Sequence, residues 1–132
     1  MKIDQSQMDR LQAQAETDFQ ARVAAYLRER QAASVAGLAD DVLLRRIRFS
    51  LAVARAHGFS VEAGLVGFTN MMFNIGPDFW RQPAFARALK IELSNEIDRI
   101  KAIHDNVTDE DWDAAVAVSD PRAWARSDEF GR

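Results

Sequence analysis

At Ile75-Gly76-Pro77 the chain cannot stay helical, although the apolar run leading into this point reads as a helix in every other respect. Glycine fits the left-handed position just past a helix end, and a proline shortly after it prevents the helix from continuing. Phe68, Met71, Met72 and Phe73 precede the stop, and Phe79 and Trp80 follow it. That much apolar surface around one corner is either the pivot of the core or the edge of a docking groove. As a groove, it makes Met71, Met72, Phe73, Phe79 and Trp80 the candidate partner-binding residues, because methionine adapts to irregular surfaces and large aromatics anchor interfaces. The residues leave both readings open. None of these side chains is a nucleophile or a proton-transfer group.

Upstream of the corner, Asp4 to Gln31 reads as one long helix. Met8, Leu11, Ala15, Phe19, Val23, Tyr26 and Leu27 recur at three- and four-residue steps, with no Gly or Pro between them. At about 1.5 Å per residue such a helix spans about 40 Å, more than a domain of this size needs, so one end is expected to project. A loop around Ser34 to Leu38 follows. Asp40 or Asp41 is then expected to cap a second helix that ends at His57-Gly58, and Ser60 to cap a third over Val61 to Ile75. The third contains Gly64 and Gly67 one turn apart, a spacing that suits a close helix crossing.

Beyond the corner, Pro83 suits the first turn of a short helix to Ile91, and a further helix is expected over Asn95 to His104. Thr108 and Asp111 form a capping box, with Asp in place of Glu, opening a helix from Asp109 to Val118. A last turn around Trp124 and a frayed tail over 127–132 complete the chain. No alternating strand pattern of useful length occurs. The expectation is an all-α single domain, residues 1–132, built as a compact array of about five to six helices with a long N-terminal helix.

Composition narrows the function. With 132 residues, 48% hydrophobic and 28% charged, the chain is large enough for one core and is not a disordered composition. A net charge of −3 gives no electrostatic reason to bind nucleic acid or an anionic membrane. The helix that would serve as a recognition helix, Val61 to Ile75, carries no Arg or Lys. The absence of cysteine excludes disulfides and thiolate metal sites and fits a cytoplasmic protein. The first residues lack the apolar segment of a signal peptide, and no run is long enough to span a bilayer.

No coherent catalytic set is present, and the expectation is a non-enzyme without metal or cofactor. His57 stands at a helix end, where a cation or dipole suits the macrodipole, and His104 lacks the partners of a zinc pattern. The acidic cluster Asp105, Asp109, Glu110, Asp111 and Asp113 lacks the spacing of a calcium loop, and most of it falls in a first helical turn. Arg45, Arg48 and Arg55 form a secondary basic patch on the second helix. It reads as an anion-binding surface or as the counterpart of the acidic face of the first helix.

The order of residues adds one resemblance. Arg46-Ile47-Arg48-Phe49, Ala54-Arg55-Ala56-His57-Gly58-Phe59 and the run from Phe68 through Met72-Phe73-Asn74-Ile75-Gly76-Pro77-Asp78-Phe79 are similar to a family of short helical proteins. These are encoded beside spike and effector genes of bacterial type VI secretion systems. Gln82-Pro83-Ala84-Phe85 and Thr108-Asp109-Glu110-Asp111-Trp112 resemble the same family's downstream pattern, so that the likeness covers Arg45 to Ala115. It implies an accessory that binds another protein: an adaptor or co-chaperone that loads an effector or, alternatively, an immunity protein that neutralises a toxin. The implied partner is a secretion effector or its chaperone. The resemblance specifies neither the oligomeric state nor the contacting residues.

Overall fold

The computed structural model describes residues 4–129, and among them every regular element is helical. There are seven α-helices: α1 (Gln5–Arg30), α2 (Ala32–Val35, a single turn), α3 (Asp40–Ala56), α4 (Glu62–Asn74), α5 (Pro83–Leu89), α6 (Glu96–Asn106) and α7 (Asp109–Val118). Two 3₁₀ segments, Phe79–Arg81 and Pro121–Glu129, complete the array. The count exceeds the expected five to six because the α2 turn and the 3₁₀ turn at Phe79 are too short to leave a periodic signal. The expected frayed tail covers residues 127–132. Residues 127–129 belong to the C-terminal 3₁₀ segment, and residues 130–132, like 1–3, lie outside the described residues.

α1 starts at a capping box in which Asp4 accepts from the Gln7 amide and the Gln7 side chain accepts from the Asp4 amide. Phe19, Val23 and Leu27, spaced four residues apart, are buried in the core, and Ala24 packs against it. The N-terminal half is the end that projects: Met8 is 41% and Leu11 58% exposed. At the other end Arg28 donates to Leu38 O and Asp40 Oδ1, both at 2.8 Å, and ties α1 to the start of α3.

Neither aspartate caps α3. Its N-cap is Ala39, and Asp40 and Asp41 stand in the first turn, where their charge still favours the helix dipole. The end of α3 is a Schellman closure. Gly58 adopts φ 89°, its amide donates to Arg55 O, and the Phe59 amide donates to Ala54 O. Phe59 is thereby turned into the core.

α4 packs on α3 with one side and on α6 with the other. Gly64 and Gly67 permit the second contact. A Cβ on Gly67 would stand 3.1 Å from Ile100, and one on Gly64 would press on Glu96 and the Phe59 ring. The expected close crossing is therefore present, and α6 is the helix that makes it. At the corner, Gly76 takes φ 155° and Ser119 lies where a Cβ would project, so conformation and space both require glycine. The core that results is a chain of rings. Phe59, Phe68, Phe79, Phe85 and Trp112 follow one another with centroids 5.6, 5.0, 5.5 and 5.6 Å apart.

Candidate functional site: the Trp80 cleft

Burial divides the five corner residues. Met71, Met72 and Phe79 are core, with Phe79 only 1% exposed and packed between Phe68 and Phe85. Of the two readings left open for the corner, core and groove, these three side chains take the core one, since a partner cannot touch side chains the fold already encloses. Phe73 is half-buried against the core and packs its ring 5.1 Å from Trp124. Trp80 is the one of the five that both leans on the core and lines an opening to solvent.

That opening is a cleft of about 290 Å³ where the 3₁₀ turn after Pro77 meets the C-terminal 3₁₀ segment. Trp80 is fixed in it. Its indole N–H donates to Pro77 O at 3.2 Å, and the His57 ring lies 5.3 Å away on its inner side. The Arg81 guanidinium lies over the indole at 4.8 Å from the ring centre. Arg81 forms no hydrogen bond or ion pair through its side chain with a described residue. From the facing segment come Asp120, Arg122 and Arg126. Arg122 Nε pairs with Asp120 at 3.0 Å. The Arg122 side-chain and backbone hydrogen bonds hold the Asp120 carboxyl below the usual range, and Asp120 in turn raises the Arg122 pKa. Asp78 accepts from the Ser119 hydroxyl at 3.3 Å. Arg126 lines the cleft with no ion pair to a described residue.

Sequence reasoning missed Arg122 and Arg126, which lie in or beside the region read as a last turn and a frayed tail. Their four-residue spacing on either side of the core residue Trp124 was the available signal. The expected basic patch is not assembled as a free surface. Arg55 makes a bidentate pair with Glu16 of α1, both bonds 3.0 Å, and Arg45 bridges to Asp41 at 3.4 Å. Partial burial works against ionising Glu16, but the bonds from Arg55 and Gln20 outweigh it and hold the carboxyl below its ordinary value. Arg55 thus matches the acidic face of the first helix. Arg48 forms no ion pair with a described residue.

His57 is the C-cap residue of α3, with Nδ1 2.9 Å from Val53 O and its ring stacked 5.5 Å from Phe68. His104 stacks on Trp112 at 5.4 Å. Among the described residues no group of three His, Asp or Glu side chains is placed to hold a metal ion, and no helix is long and apolar enough to cross a membrane.

A second surface site lies at the first turn of α6. The expected Ser60 cap of α4 is corrected: the N-cap is Val61, which makes no side-chain cap bond. The Glu96 carboxylate supplies it from another helix, accepting from the Ser60 amide at 2.9 and 3.0 Å, the Ser60 hydroxyl at 2.9 Å and the Val61 amide at 2.9 Å. Desolvation works against the ionised carboxyl, but these bonds, with the charge of Arg99, hold its pKa below the ordinary value. One turn on, Arg99 donates to His57 O at 3.0 Å and Leu89 O at 3.4 Å and lies 4.2 Å from the Phe59 ring centre. It thereby serves the carbonyl ends of α3 and α5. Asn95 caps α6 itself.

Comparison with known proteins finds no family model that matches the chain, and no curated protein or solved structure similar to it.

Proposed function

We propose that this protein is a non-catalytic protein-interaction module that docks its partner at the Trp80 cleft. The observation that carries the reading is Trp80 itself, a tryptophan held half-buried at the surface, stacked by a cation and opening onto a cleft. Tryptophan and arginine are the side chains that most often dominate binding energy when a partner covers them. The resemblance to proteins of type VI secretion gene clusters gives the partner class, a secretion effector or its chaperone, and the role of an adaptor or co-chaperone in loading it.

The test is capture of the products of the genes flanking its own by the purified protein. Trp80→Ser is expected to abolish capture while the helical circular dichroism spectrum is retained. Capture that survives Trp80→Ser moves the interface elsewhere. Phe79→Asp is unsuitable for this purpose, since a charge at a core position unfolds the protein.

An immunity role is the second reading, and one observation favours it. Asp105, Asp109, Glu110 and Asp113 are exposed at the junction of α6 and α7, and none pairs with a cation among the described residues. Such a surface suits a basic toxin site. Loss of capture in Asp109→Lys with Asp113→Lys, but not in Trp80→Ser, replaces the adaptor reading with this one.

A further inference from the structure

We infer that the Trp80 cleft recognises an acidic segment of the partner, with a carboxylate held between Arg81 and Arg126 and a neighbouring apolar side chain against Trp80. This rests on the cleft being the docking site and adds the chemistry of what enters it. Three guanidinium groups and two carboxylates line the opening. One of each is consumed internally, because Arg122 and Asp120 pair at 3.0 Å. Asp78 takes a hydroxyl donor from Ser119 and sits beside the corner. Arg81 and Arg126 are left without a carboxylate among the described residues. Three guanidinium groups against two carboxylates leave the cleft with one net positive charge, in a chain of net charge −3.

The geometry of Arg81 favours a planar anion. Its guanidinium is laid over the Trp80 indole, which fixes the fork in one plane and leaves the N–H groups at its edge to donate. Carboxylates accept such a fork with two parallel bonds, and a donor already ordered by stacking loses little freedom on binding. The indole beside it offers apolar surface that a free inorganic anion does not use. An acidic side chain followed by a Leu or Phe satisfies both halves of the site.

Fluorescence anisotropy tests this with a fluorescein-labelled, C-terminally amidated peptide Gly-Glu-Leu-Glu-Leu-Gly and its counterpart with Gln for each Glu. The Glu peptide is expected to bind and to weaken as salt rises. The Gln peptide is expected to bind roughly tenfold more weakly or worse, as are Arg81→Gln and Arg126→Gln with the Glu peptide. Lys101→Gln, an exposed cation on α6 outside the cleft, is expected to leave binding unchanged. Equal binding of the two peptides, or full binding by the Arg81→Gln, Arg126→Gln double variant, overturns the inference. Displacement of the peptide by inorganic phosphate at equal concentration also overturns it, by showing a simple anion site. The docking reading fails separately. If Trp80→Ser abolishes partner capture while the double arginine variant captures normally, the cleft remains the interface and only the acidic chemistry falls.

Discussion

Arg99 and Arg81 both place a guanidinium over an aromatic ring, 4.2 Å from the centre of Phe59 and 4.8 Å from that of Trp80. Around Arg99 every partner belongs to the fold. Two helix-end carbonyls accept from it, Glu96 stands one turn away on the same helix, and the ring beneath is core. Around Arg81 the ring lines an opening and no acceptor among the described residues meets the guanidinium. The difference shows that an arginine on a ring says little by itself. Arg99 too lines an opening, between α5 and α6, so what separates a structural clasp from a guanidinium available to a partner is whether it already donates to the fold.

The comparison breaks first if the clasp can be forced apart without consequence. Gly64→Val places a branched side chain against the Glu96 carboxylate and the Phe59 ring, and α6 cannot retreat without giving up Ile100 on Gly67. A loss of about 3 kcal/mol is expected in urea unfolding. A change below about 0.5 kcal/mol shows that α6 is not held where its contacts place it.

The two arginines give the next and most direct contrast. Arg99→Ala removes donors from His57 O and Leu89 O and uncovers Phe59, with an expected cost of about 2 kcal/mol. Arg81→Ala removes no hydrogen bond to a described residue and is expected to change stability by less than about 0.5 kcal/mol. Equal losses from the two substitutions erase the distinction between clasp and cleft.

The smallest effect sharpens the same comparison through pH. Glu96→Gln weakens the cap of α4, at a cost of about 1 kcal/mol at neutral pH. The folded Glu96 carboxyl binds its proton less readily than the unfolded one, whose ordinary value is 4.5. Its contribution is therefore full above that value and is lost as pH falls through the lower folded value. Wild type and Glu96→Gln are expected to converge in melting temperature over that acid window. A constant gap down to pH 3 means the charge of Glu96 contributes nothing.

The helices were legible because their signals are local. Asp4 with Gln7 and Thr108 with Asp111 act within three residues, and both capping boxes form. His57-Gly58 and Gly76-Pro77 stop helices where φ demands it, and the Gly64, Gly67 pair announced a close crossing. Ser60 has the right chemistry for a cap but was outcompeted by a carboxylate 36 residues away, which no local pattern reveals. Met71, Met72 and Phe79 were ambiguous for a related reason. Helix α4 is apolar around much of its circumference, so periodicity gives it no outward face to separate core from groove. The cleft was hidden because half of it comes from a C-terminal segment whose 3₁₀ geometry has no strong periodic signature, and in which Trp124 packs on Phe49 and Phe73.

The projecting half of α1 has a consequence for how the molecule opens. From Gln5 to Ala15 no side chain is buried, so this stretch is held by its own backbone ladder, a capping box and short side-chain bonds such as Gln5 to Asp9. A helix of that length is marginal when nothing packs on it. Its amides are therefore expected to exchange with solvent through local fraying at nearly no free-energy cost, while those near Val23 and Leu27 exchange only when the core itself opens. One continuous helix thus contains two thermodynamic units, and the boundary between them falls at Phe19, where the core begins.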